Sequence, residues 1–162
     1  MKPRPIEPHD LAALLALNNE HAAELSRLDE DGLDRLLEAA AHAACIGAVG
    51  EPVAFVLAFD HTTPRQGPNH GWFLARHACV AYVDRVCVAT NARRQGHARL
   101  LYEDVFAFAR ASGISVVGCE MTRDIRNDAS HAFHDLLGFV EVGESFVTEH
   151  QKLVRYLERR LD

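Results

Sequence analysis

Nothing in this sequence restricts its fold more than the passage CVAYVDRVCVATNARRQGHARLL. Cys79 to Ala89 is a β-branched run that reads as a strand. Just beyond it Leu101, Val105 and Phe108, with Leu100, Ala107 and Ala111 alongside, recur at helical spacing until Ser112-Gly113. A strand that runs through so short a turn into a helix leaves the helix's first N–H groups without partners. A tight, Gly-containing turn gathers those groups on a pocket suited to a phosphate. Gly96 lets the backbone approach a ligand closely, Ala98 keeps the wall low, and Arg93, Arg94 and Arg99 add positive charge. The turn has neither the G-x-x-x-x-G-K-[ST] nor the G-x-G-x-x-G pattern of nucleotide-binding loops. On these residues alone, a plain helix start with exposed arginines fits as well as a phosphate site does.

The remaining segments supply a sheet for that strand. PHDLAALLALNNEHAAEL places Leu11, Leu14, Leu15, Ala22 and Leu25 at helical spacing, with Asn18 intruding. DEDGLDRLLEAAAHAA gives Leu33, Leu36, Leu37, Ala40 and Ala44, a second amphipathic helix opened by acidic residues that suit its dipole. CIGAVG and PVAFVLAF read as short strands meeting at Gly50-Glu51-Pro52, and DHTTPRQGPNHG reads as a loop. ISVVGCEM is a buried strand. RNDASHAFHDLLGF carries Ala129, Ala132, Phe133, Leu136 and Leu137 at helical spacing and closes at Gly138. FVEVGESFV and KLVRYLER are two final strands. Two helices, a hairpin, then strand-helix-strand-helix-strand-strand make a single α/β domain over residues 1–162, with a mixed sheet.

Composition narrows the partners. With 162 residues, 48% hydrophobic and 25% charged, the chain suits one domain with one core. Net charge is −6 and no dense Lys/Arg run occurs, which argues against nucleic acid or an anionic membrane as partner. No apolar run reaches the roughly 18 residues that span a bilayer, and MKPRPIEPHDL lacks the apolar stretch of a signal peptide, so a cytoplasmic location is expected. Cys45, Cys79, Cys87 and Cys119 sit far apart among apolar neighbours and read as buried free thiols. His131 and His134 have helical spacing that could serve a metal with Glu120 or Cys119, but no third ligand is fixed, and no metal is expected.

RRQGHA resembles the R/Q-x-x-G-x-G/A signature of the GNAT acyltransferase superfamily, five residues after Val88 of a strand ending VCV. NDASHAFHDLLGF is similar to that family's N-x-x-S-x-x-F-Y-x-x-L-G-F helix, and the likeness runs from RPIEPHDL to KLVRYLERRL. LNNEHAAEL, YVDRV and AFHDLLGFVEVG look like a bacterial subgroup of acetyltransferases whose substrate is unassigned. The resemblance implies a mixed central sheet that splays between two strands, flanked by about four helices. It implies acetyl-CoA as co-substrate, its pyrophosphate on the backbone of Arg94, Gln95, Gly96, His97 and Ala98, with Arg93 and Arg99 nearby. The pantetheine arm is then expected to pair like an extra strand with Val86, Cys87 and Val88, in a slot opened toward ISVVGCEM. Asn127, Ser130 and Phe133 of the later helix complete the cofactor set, Asn127 doubling as a helix N-cap. Dimers are frequent in the family, and nothing in this sequence decides that point.

Amide formation from a thioester needs a neutral amine, whose pKa is about 10.4, and a donor for a thiolate of pKa near 8.5. The family commonly places a tyrosine at the sulfur, where this chain has His134. Asn127, Ser130, His131 and His134 share a polar stripe, so His134 is either that acid or an exposed helix histidine. Glu120, ending VVGCEM, matches in position the glutamate base of the family's ribosomal-protein acetyltransferases; the alternative is a strand-end carboxylate paired with Arg123 or Arg126. Asp84, alternating with Tyr82 and Val86, is the second candidate base unless it pairs with an arginine. NNEHAAELSRLDEDG, with Glu20, Glu24, Asp29, Glu30 and Asp31, lies where the family walls its acceptor site and favours a cationic amine. Trp72, Phe73 and Tyr82 read as core or as aromatic walls of that site. Two functions remain: an acetyl-CoA-dependent N-acetyltransferase, or a CoA-binding regulatory module that kept the fold.

Overall fold

Six strands form one open sheet in the order β1-β2-β3-β4-β6-β5, and its centre is where it is weakest. The computed structural model describes residues 1–23, 25–123 and 128–162. In chain order the elements are α1 (Leu11–Glu20), α2 (Glu30–Ala39), β1 (His42–Ala48), β2 (Glu51–Asp60), α3 (Gly67–Leu74), β3 (Ala81–Val88), α4 (His97–Ala111), β4 (Val116–Thr122), α5 (Asp128–Leu136), β5 (Val140–Val147) and β6 (Lys152–Arg160). Neighbouring strands are antiparallel except β3 and β4, which α4 joins as a parallel crossover. Those two pair only at Ala81 with Val117 and at Tyr82 with Gly118, and then separate. The splay expected from the resemblance is therefore present.

A bulge shapes the strand that borders the gap. Leu57 of β2 faces Arg85 and Ala58 faces Val83, so Asp84 is the extra residue on β3. The inserted residue reverses the alternation. Ala81 and Val83 join the cluster under α4, with Val86 and Val88 packed against it, while Tyr82 and Cys87 face the opposite layer. The expected alternation of Tyr82, Asp84 and Val86 along one face fails here for that reason.

Under α4 the core holds Leu101, Val105, Phe106 and Ala109 against Ile46, Val56, Val83 and Val117. The opposite face of the sheet is covered by α1 and α2 through Leu14, Leu17 and Leu33, and by α3 through Phe73 with Trp72. α3 lies where the sequence reads as loop, because Pro68 in its first turn is compatible with a helix start. Gly118 of β4 makes room for it: a Cβ there would lie 2.4 Å from the Phe73 ring. α2 stops at Ala39 rather than running to Ala44, since Ala44 and Ile46 are claimed by the sheet core. Cys45, Cys87 and Cys119 are buried, but Cys79 is exposed just before β3, contrary to expectation.

Two polar clamps tie the layers together. Buried Asp10 accepts from Arg4 Nη1 at 2.8 Å and Nη2 at 2.9 Å and from the Gly50 amide, fastening the N-terminus to the β1–β2 hairpin. The guanidinium holds the Asp10 carboxyl far below the usual carboxylate range. Asn18, which intrudes on the apolar face of α1, is fully buried and accepts from Arg85 Nη1 at 2.8 Å while donating to the Ser26 carbonyl. It thereby fixes the α1–α2 connection over β3. Among the described residues no helix is long and apolar enough to cross a membrane.

Candidate active site

The parting of β3 from β4 opens a cleft of about 680 Å³. Its walls are β3 from Val83 to Val88, the turn and first residues of α4, the end of β4, and α5. His21 and Leu25 of the α1–α2 connection line its other mouth. Because β3 has no ladder partner on this side beyond Tyr82, the backbone of Val86, Cys87 and Val88 borders the cleft as a strand edge.

At one end of that edge the chain turns through Arg94 and Gly96, both left-handed, with φ of 63° and 81°. Gly96 is the N-cap of α4 and has no side chain with which to cap it. α2 differs: there Asp29 accepts from the Gly32 amide at 2.7 Å. No side chain caps the first amides of α4, and a left-handed residue followed by a helical one folds consecutive N–H groups into a concavity suited to anions. Arg93 and Arg94 stand exposed beside it, and Arg99 pairs with Glu103 at 3.0 Å on the surface. His97 is buried, and both its ring nitrogens lack a partner among the described residues.

At the foot of the gap stands Glu120. Its Oε2 accepts from the Tyr82 hydroxyl at 2.5 Å. Burial raises its pKa to about 8, with the Asp84 charge adding to the rise and the Tyr82 hydrogen bond opposing it. A carboxyl poised in this range can exist in either form near neutral pH, as a proton acceptor must. Asp84 itself accepts from Arg85 Nε at 2.7 Å, the arginine pairing considered from the sequence. Arg123 pairs with Glu141 and Glu144.

His134 is buried, not exposed, and its ring bridges two groups. Nδ1 lies 2.7 Å from the Ser130 carbonyl and Nε2 lies 2.8 Å from the Tyr102 hydroxyl. Burial lowers the His134 pKa from its ordinary value. Phe133 packs edge-on against His134 with centroids 5.4 Å apart and also lines the cleft. Asn127 and Glu24 lie outside the described residues. Asp29 caps α2, and Glu20 accepts from Thr90 at 3.4 Å.

Sequence reasoning missed Tyr102 and Arg85 and left Tyr82 as core or wall. A tyrosine on the apolar face of a helix must find a partner for its hydroxyl, and that was the available signal for Tyr102.

A strand edge that ends in an uncapped left-handed corner, beside a buried carboxyl, is suited to an extended ligand with an anionic end. The chain belongs to the acetyltransferase (GNAT) family, whose family model matches residues 10–139. The fold is shared with a ribosomal-protein-alanine N-acetyltransferase from Brucella melitensis, at 22% identity and TM-score 0.74 over 99% of this chain and all of that one. Ard1 from Thermoplasma volcanium matches at 15% identity and TM-score 0.77 over 99% and 97%. The yncA protein of Salmonella typhimurium, solved with its cofactor acetyl-CoA, matches at 18% identity and TM-score 0.71 over 100% and 94%. No curated protein matches the sequence.

Proposed function

We propose that the protein transfers the acetyl group of acetyl-CoA directly to a primary amine, on a small molecule or a peptide N-terminus, with Glu120 receiving the amine's proton. The observation that carries this reading is Glu120 at the foot of the cleft, with a pKa raised to about 8. The edge of Val86, Cys87 and Val88 offers amide and carbonyl groups to the pantetheine arm, and the backbone of Arg94 to Ala98 offers N–H groups to the pyrophosphate. Ser130 and Phe133 flank the arm from α5, and Asn127 joins them in the proposed cofactor set.

An amine of pKa about 10.4 arrives mostly as an ammonium ion. The charges of Asp84 and ionised Glu120 favour its approach from the mouth lined by His21 and Leu25. Once Glu120 holds the proton, the nitrogen lone pair can attack the thioester carbonyl. Asp84 is the less apt base, because its carboxylate is already engaged by Arg85 Nε at 2.7 Å.

Calorimetry with acetyl-CoA, followed by an assay of thiol release on a panel of amines, tests the reading. Gly96→Val forces a β-branched residue into the left-handed region and is expected to weaken acetyl-CoA binding about tenfold or more. No heat with acetyl-CoA, or no turnover on any amine, would overturn the proposal.

A further inference from the structure

We infer that Asp84 docks the acceptor amine as its ammonium ion, and that Arg85 is a positioning residue that ties this carboxylate to the α1–α2 connection. This rests on the transfer reaction proposed above and adds to it the place where the acceptor first binds.

The β3 bulge creates that place. In a regular strand neighbouring side chains point to opposite faces, so Asp84 and Arg85 would be poorly placed to bond each other. The extra residue removes that restriction. Arg85 faces Leu57, a residue of the layer under α1 and α2, and its Nε donates to Asp84 Oδ2 at 2.7 Å. The rest of the guanidinium reaches the wall opposite. Nη1 donates to Asn18 Oδ1 at 2.8 Å and Nη2 to Ser26 Oγ at 3.4 Å. Further bonds fasten that wall. Asn19 Nδ2 donates to the Leu28 carbonyl at 2.9 Å, and Asn19 Oδ1 accepts from the Leu28 amide at 2.9 Å. His21 Nδ1 lies 3.1 Å from the Leu17 carbonyl and 3.3 Å from Cys87 Sγ on β3. His21 at the mouth and the Asp84 carboxylate therefore stand on one braced unit.

Arg85 uses only one oxygen of Asp84. Among the described residues no hydrogen bond reaches Oδ1, although the Asp84 side chain is only 15% exposed and lines the cleft. A carboxylate so withdrawn from water gains from a charged donor, and an ammonium ion supplies both the charge and the N–H groups. The two carboxyls then divide the work. Asp84 holds the cation, and Glu120 takes the proton. Burial raises the Glu120 pKa to about 8, and the Asp84 charge adds to that rise. The N–H bond breaks with its electron pair left on nitrogen, and the neutral amine attacks the thioester as proposed above. The titratable and charged groups facing the two carboxyls are Tyr82 and Arg85 on β3, His70 on α3, Tyr102 on α4, Cys119 on β4 and Tyr156 on β6.

The test uses butylamine, spermidine and an alanyl peptide as acceptors, with acetyl-CoA calorimetry alongside steady-state kinetics. Asp84→Asn is expected to raise the KM of the amine about tenfold or more, with acetyl-CoA affinity unchanged. In the unaltered protein kcat/KM should fall as salt is added, and Asp84→Asn should flatten that response. Arg85→Gln should raise KM, and Arg85→Lys, which keeps a donor for Asp84, should rank between it and the unaltered protein. The double variant Asp84→Asn, Arg85→Gln separates docking from mutual support: KM stays high if Asp84 binds the ammonium. A KM restored in the double variant, or unchanged in Asp84→Asn or in Arg85→Gln, overturns this inference alone. Should Asp84→Asn fail to bind acetyl-CoA, the unaltered protein decides, since a kcat/KM indifferent to salt also overturns it. Absence of turnover on all three amines overturns it together with the proposed function.

Discussion

Glu120 sets the chemistry of the site against the stability of the fold. Its carboxyl ionises at about 8 in the native state, against 4.5 for the free group. The native state therefore holds a proton that the unfolded chain releases between those two values, and stability falls as pH rises across that window. The form proposed to act as base is the form that folding disfavours. Glu120→Gln keeps the shape and removes the charge. It should lower kcat by about 10²-fold or more. It should also raise Tm above pH 8, by about 2–4 °C for each kcal/mol regained, while leaving Tm nearly unchanged below pH 4. A thermal scan of both proteins across pH measures this, and equal Tm values at high pH would refute it. Glu120 stood out in the sequence as a charge after an apolar run, although β4 continues past it to Thr122. Tyr102 did not, because its partner lies 32 residues away on another helix.

Among the elements, α3 shows where local signals mislead. Gly67, Pro68 and Gly71 are turn residues by type, and no pattern of eight residues separates a loop from a short helix that begins with proline. Packing decides it: Phe73 lies over Gly118 and Trp72 over Gly143, where added Cβ atoms would each come within 2.4 Å of the rings. Gly118→Ala thus forces an aromatic ring in a buried cluster to move, at a cost of about 1–3 kcal/mol. A lower urea midpoint with an unchanged m-value is the expected result, and an unchanged midpoint would count against the packing described. The bulge at Asp84 was equally illegible. It belongs to the register between β2 and β3, which alternation within β3 does not encode. By contrast, the α4 corner was partly readable: the sequence marks Gly96 as a point of close backbone approach, and the structure adds its left-handed conformation.

At the scale of the molecule, β1, β2 and β3 form one half-sheet and β4, β5 and β6 another, bridged by two residue pairs and by the helices across them. Apart from α3, the element order and mixed sheet followed from periodicity, while the separation of the halves followed only from the family resemblance. Acetyl-CoA seated along Val86 to Val88 would supply bonds that the sheet lacks. Amide exchange in β3 is expected to slow on addition of the thioester, and Tm to rise with its concentration by mass action. Exchange that is the same with and without ligand would show that the arm does not bind along this strand.

An ordinary open sheet has two outer borders, and exposed borders invite aggregation with other chains. This sheet has two more inside it, facing each other across the gap. They converge at Tyr82, where β3 and β4 still pair. A single slender chain bearing amides at intervals can still enter. A guest of that kind would satisfy inner borders that the fold itself leaves open.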